Sequence, residues 1–156
     1  MNNIAAKAVC FHEAEQSTFA EYTRQILKNA KAMESVFRER NVRMIGGGTS
    51  NHLILADVFG SLGVSGKEAQ TVLDEVGITV NMNAIADDTR KPLDPSGIRF
   101  GTPAMTTRGI REEESKQVAH IMLDALTNRS DTMKKRDLRN AVLELCRKHP
   151  IPDSFM

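Results

Sequence analysis

Phe19, Tyr22, Ile26, Ala30, Met33 and Phe37 recur at three- and four-residue steps, the spacing of one face of an α-helix. A helix from Thr18 to Arg40 with that stripe must lie along a core. Ser17 or Thr18 is placed to cap it, with Glu21 three residues after Thr18 as in a capping box. No other segment is as long. Ile4–Phe11 is small and apolar and reads as a helical piece. Val42–Ile45 reads as a short strand broken by Gly46-Gly47-Gly48, and His52–Asp57 as a second. Ser65 opens a helix through Leu73 that Gly77 closes. Ile78–Val80 and Ile98–Phe100 are brief strands. Ile110, Val118, Ile121, Met122 and Leu126 set a helix over about Arg111–Thr127. Glu112, Glu113 and Glu114 sit in its first turn, where the helix dipole favours negative charge. A last helix covers about Met133–Lys148, before Pro150 and Pro152. The strands are too few for a doubly wound sheet. The fold class expected is therefore α+β, a short, mostly antiparallel sheet covered by helices.

Charge and composition exclude several roles. Among 156 residues, 21 are basic and 20 acidic, without the positive excess of a dedicated nucleic-acid binder. One tyrosine and no tryptophan leave little for stacking bases. The apolar runs are too short to span a bilayer, and the first residues lack the pattern of a signal peptide. A cytoplasmic location is expected, with Cys10 and Cys146 as reduced thiols. The four histidines show no metal-ligand spacing, so no metal is expected, and His52 reads as structural. Gly46-Gly47-Gly48 precedes a strand, not a helix N-terminus, so it reads as a turn and not as a phosphate cradle. Gly60–Glu68 fails as a P-loop on spacing and on Glu68, where Ser or Thr is needed. The basic residues of the last helix alternate with Asp131, Asp137 and Glu144 and read as a solvated face.

Two stretches hold chemistry. In Ser96–Gly109, Arg99 sits within a strand flanked by Gly97 and Gly101, where glycine admits a close neighbour. A guanidinium there holds a carboxylate through two parallel hydrogen bonds. That carboxylate is either a ligand's or an Asp or Glu of the same fold. Asn81–Pro95 has no periodicity, holds prolines and aspartates, and reads as a loop long enough to be functional. Its asparagines can read a heterocycle edge or simply form a turn.

Asn3–Val9, Gly47–Leu53, Gly77–Asn83 and Ser96–Gly109, in that order, resemble the C-terminal part of serine hydroxymethyltransferase, also called glycine hydroxymethyltransferase. The resemblance implies the small C-terminal domain of a fold-type I pyridoxal-phosphate enzyme. It makes residues 1–16 a remnant of the large cofactor-binding domain and 17–156 the small domain, entered through the long helix at about 18–40. It implies that Arg99 binds the carboxylate of serine or glycine and that Arg108, in Thr106-Thr107-Arg108-Gly109, supports that site. Asn83 would contact tetrahydrofolate, with Met82 in place of a lysine. Lys91, Pro92 and Leu93 stand where the family has Ser-Pro-Phe on the folate. The cofactor, pyridoxal 5'-phosphate, would be held by a lysine in a Thr-His-Lys context that this sequence lacks. Met1 then reads as an internal methionine, and the chain as a C-terminal fragment needing a missing large domain, within a homodimer or tetramer. The alternative is a stand-alone, non-catalytic α+β binding or assembly module.

Overall fold

The computed structural model describes residues 1–152. The elements run α1 (Asn2–Ala14), α2 (Ser17–Glu39), a 3-10 turn (Ile45–Gly47), β1 (Leu53–Asp57), α3 (Val58–Leu62), α4 (Gly66–Glu75), β2 (Asn81–Asn83), β3 (Gly97–Gly101), α5 (Pro103–Thr107), α6 (Glu112–Thr127) and α7 (Thr132–Lys148). The sheet has the order β1-β3-β2 and both pairings are antiparallel.

Alternation along the strands sorts the two faces. Ile98 and Phe100 of β3 pair with Ala56 and Ile54 of β1, and all four are buried. They share one core with Met33, Val36 and Phe37 of α2, Leu73 of α4, Met122, Leu123 and Leu126 of α6, and Leu138 and Val142 of α7. The Phe37 and Phe100 rings lie 5.3 Å apart at their centroids, close enough for a favourable tilted pair. Helices thus cover one face of the sheet and leave the other open.

Several local expectations are corrected. α2 is capped by neither Ser17 nor Thr18: its N-cap is Gln16, with no side-chain bond. Residues 15–19 are exposed, so water can serve the first N–H groups. Phe19 lies outside the core, with 41% of its surface exposed. Val42–Ile45 forms no strand, only an isolated bridge from Met44 to Ala56, because the chain turns at Ile45 before a second pair can form. Ile78–Val80 is not a strand either. The strand is Asn81–Asn83, inside the stretch expected to be loop. Asparagine disfavours strands in general, but here both asparagines alternate with Met82 at the edge of a half-solvated sheet. Gln70 Oε1 accepts the Met82 N–H at 2.8 Å and fixes that edge. The short helices α3 and α5 were not expected. Ser65 does cap α4, accepting the Glu68 N–H at 3.2 Å.

α1 has no buried residue, although Ile4, Val9 and Phe11 are apolar. They are 69%, 57% and 66% exposed. No helix among the described residues is long and apolar enough to cross a membrane.

Candidate functional site

The site begins with the register of the central strand. Arg99 stands opposite Leu55 of β1 and Asn81 of β2, while Asn83 stands opposite Gly97. Opposed residues share a face, so Arg99, Leu55, Asn81 and Asn83 all belong to the open side of the sheet. Arg99 is exposed. Among the described residues it has no ion-pair partner. Of the two sources of a carboxylate left open by the sequence, no Asp or Glu among the described residues supplies the one within the fold.

Beside Arg99 lies an open cleft of about 680 Å³, walled by α2 at Lys31, Glu34 and Arg38, and by the Ile45–Asn51 turn. Glu34 ties these walls together. Its carboxylate accepts from Lys31 Nζ at 2.7 Å, Arg38 Nη2 at 2.7 Å and the Thr49 N–H at 3.1 Å. Arg38 also donates to the Gly47 carbonyl at 2.9 Å. Burial alone would push the Glu34 carboxyl up. The hydrogen bonds from Lys31, Thr49 and Arg38 outweigh it and hold the group down at about 2. The three glycines make a turn, each at positive φ, but it joins an isolated bridge at Met44 to β1 and not two strands. Gly48 has a further reason to be glycine, since a Cβ there would sit 2.5 Å from Glu34 Oε1.

Gly97 meets the close neighbours that the sequence suggested. A Cβ on it would lie 2.7 Å from Ile85 Cγ2 and 2.8 Å from the Asn83 carbonyl. The connection between β2 and β3 is folded on its own charges. Asp88 accepts from the Ser96 N–H at 2.9 Å, the Ser96 hydroxyl at 2.7 Å and the Arg90 N–H at 2.9 Å, which holds its carboxyl far below the usual range. Arg90 pairs with Asp94 and lies 4.3 Å over the Phe59 ring. Lys91, Pro92 and Leu93 project from this loop and are exposed, Leu93 by 79%. Asn83 is half-buried and donates to the Ala84 carbonyl at 2.6 Å.

Arg108 stands elsewhere. Its Nε donates to the His149 carbonyl at 2.7 Å and its Nη2 to the Cys146 carbonyl at 3.1 Å, closing the C-terminus of α7. It does not line the cleft beside Arg99, nor do Asn83, Lys91, Pro92 and Leu93. The rest of the Ser96–Gly109 stretch is scaffold. Thr102 donates to the Ile26 carbonyl at 2.9 Å, and Asn29, fully buried, donates to Thr106 Oγ1 and to the Ile110 carbonyl, both at 2.8 Å. His52 contributes its carbonyl, which accepts the Thr102 N–H at 3.1 Å, while the residue itself is exposed.

Sequence reasoning missed Glu34, Asn29 and Asp88. Glu34 had a signal, since Lys31, Glu34 and Arg38 stand at i, i+3 and i+7, the spacing of neighbours on one helix face. Asn29 showed as a polar residue beside the apolar stripe. Asp88 had none beyond its place in a loop. Among the described residues, no group of three or more His, Cys, Asp or Glu is placed to hold a metal ion.

Comparison with known proteins places this geometry in context. The family model for serine hydroxymethyltransferase matches residues 1–122. The serine hydroxymethyltransferase of Francisella tularensis subsp. tularensis strain WY96-3418 is 48% identical over 151 residues, covering 97% of this chain and 36% of that protein. That of F. tularensis subsp. novicida strain U112 is 47% identical, and that of F. philomiragia subsp. philomiragia 46%, each over the same shares. The chain thus spans about a third of the length of the curated relatives it matches.

Proposed function

This chain belongs to the serine hydroxymethyltransferase family, and on that premise we propose that it is the C-terminal, substrate-positioning part of an enzyme that interconverts serine and glycine with one-carbon transfer to tetrahydrofolate. Residues 17–156 would form the small domain and residues 1–16 the tail of a large one. The whole enzyme would be a cytoplasmic homodimer or tetramer. Family membership weighs against a stand-alone binding module.

The observation that carries this reading is Arg99. It is an exposed guanidinium on the central strand of the open sheet face, with no carboxylate of the described chain to neutralise it. Its role would be to hold the amino-acid carboxylate through two parallel hydrogen bonds. Fixing one end of a small substrate limits its rotation, which can supply several kcal/mol toward a barrier. Asn83 shares that sheet face and would offer its amide to the pteridine edge of the folate. Lys91, Pro92 and Leu93 would lie against the same co-substrate. The assignment of Arg108 is less direct: by holding the end of α7 it would stabilise the turn that follows β3, and would act on substrate only through that scaffold.

The lysines here do not fit the anchor that pyridoxal 5'-phosphate needs. A Schiff-base lysine must be shielded and able to lose its proton. All nine lysines of this chain are exposed or half-buried, and Lys31, Lys116, Lys135 and Lys148 are ion-paired. The cofactor would be held by residues outside this chain, and its chemistry is not assigned to any residue here.

Replacing Arg99 with lysine in the full-length protein tests the reading. Lysine keeps the charge and loses the fork. The expected result is a fall in kcat/KM for serine of at least about 100-fold, on the scale of one charge-assisted bidentate contact. Near-normal kinetics would remove Arg99 from the site.

A further inference from the structure

The cleft beside Arg99 holds a second arrangement that substrate binding alone does not require. Three cations line it, Lys31, Arg38 and Arg99, against one carboxylate, Glu34. Two of the three are already engaged, because Glu34 accepts from both Lys31 and Arg38 at 2.7 Å. Glu34 is the buried member, its side chain 10% exposed, whereas Lys31 and Arg38 are 60% and 63% exposed. An ordinary surface pair would have both partners in water and little effect on its surroundings. Here the carboxylate also holds the Thr49 N–H and packs against Gly48, so it is fixed to the cleft wall and cannot swing away.

We propose that Glu34 determines specificity in this cleft. By engaging Lys31 and Arg38 it leaves Arg99 as the cleft's uncommitted cation among the described residues, so the site takes an amino acid with one carboxylate in preference to a dicarboxylate. A ligand with a second carboxylate would find no free partner on α2 and would meet the Glu34 charge. Neutralising Glu34 would release two cations beside Arg99 and turn the cleft toward dianions. The inference rests on the assignment of Arg99 to the substrate carboxylate.

The test is inhibition of serine turnover in the full-length protein by malonate and by acetate, at about pH 8, in wild type and in Glu34→Gln. The ratio of the two inhibition constants is the readout. A purely structural Glu34 would alter stability and leave that ratio alone. The expected change is a shift of about fivefold or more toward malonate, the size of one partly screened charge contact. An unchanged ratio would overturn the proposal. Arg38→Gln removes an exposed side chain, serves if Glu34→Gln does not fold, and should shift the ratio the other way, toward acetate. No shift there would also overturn it. Arg99→Ala separates the two readings. Weaker inhibition by both anions in Arg99→Ala, with no ratio change in Glu34→Gln, removes Glu34 and keeps Arg99. Unchanged inhibition by both in Arg99→Ala removes the carboxylate assignment and the Glu34 proposal with it.

Discussion

Asn29 fixes the turn that carries the chain away from Arg99, and its replacement gives a measurable account of that hold. The side chain is fully buried. Its Nδ2 donates to Thr106 Oγ1 and the Ile110 carbonyl at 2.8 Å, and its Oδ1 accepts from Gln25 at 2.9 Å. Asn29→Ala deletes both donated bonds, each worth about 1 kcal/mol net, and leaves the buried Ile110 carbonyl without that partner at a further 1 kcal/mol or so. The expected loss is about 3 kcal/mol. Asn29→Asp is nearly the same size but presents a carboxylate to two groups that were accepting from it. It should cost more than alanine at pH 7, about 4 kcal/mol. Burial raises the carboxyl of the introduced aspartate above its unfolded value. Its penalty is therefore full at high pH and shrinks as pH falls through the folded pKa, while the alanine penalty stays constant. Urea unfolding followed by far-UV circular dichroism measures both. A 3 kcal/mol loss moves the midpoint by about 1.5 M, taking m near 2 kcal/mol/M. An aspartate variant no worse than alanine at pH 7, or an alanine variant costing under about 0.5 kcal/mol, would refute the reasoning.

Three other outcomes are expected. The Glu34 carboxyl is held at about 2, so its contribution is complete above the unfolded value near 4.3 and is lost as pH falls through 2. After allowing for its solvated partners it is worth about 1–2 kcal/mol. The stability gap between wild type and Glu34→Gln should narrow from pH 5 to pH 2.5, and a gap that stays constant would contradict the assignment. Gly97→Ala would force a Cβ to within 2.8 Å of the Asn83 carbonyl and 3.0 Å of the Ala56 carbonyl. Both are backbone atoms, so the variant should lose about 1–3 kcal/mol in a thermal melt, and an unaltered Tm would mean that the strands can part. The exposed Ile4, Val9 and Phe11 of α1 should make the purified chain self-associate. Light scattering should show less association for Ile4→Gln with Phe11→Gln, and a monomeric wild type would count against it.

The elements that follow from local rules were legible in the sequence. The α2 stripe, the α6 and α7 ranges, the Ser65 cap and strands β1 and β3 all rest on periodicity or capping within a few residues. The misses depended on distant partners. β2 was misplaced because Asn81 and Asn83 look like turn residues until β3 lies beside them and leaves their face open. Val42–Ile45 has strand composition, yet only Met44 finds a bridge. Asn29 is a helix-surface residue in sequence and becomes buried only because Thr106 and Ile110, some 77 and 81 positions on, fold over it.

Arg99 and Arg108 show most clearly where a motif stops being informative. They lie nine residues apart in one stretch, Arg99 after Ile98 and Arg108 after Thr107, and both fall in a pattern shared with a family. The pattern gives them different family roles but does not show which groups of the fold each one meets. The pleat places Arg99 on the open face, because Ile98 and Phe100 must point into the core. Arg108 is decided by α7, whose last carbonyls need donors and which returns to the turn after β3 to find one. An arginine already satisfied by two backbone carbonyls gains little by turning to a substrate. An exposed one without a carboxylate of its own gains a charge-assisted bond when an anion arrives. The two arginines thus differ in their partners among the described residues, and on the proposed assignment Arg99→Lys should act on kcat/KM while Arg108→Lys should act first on stability.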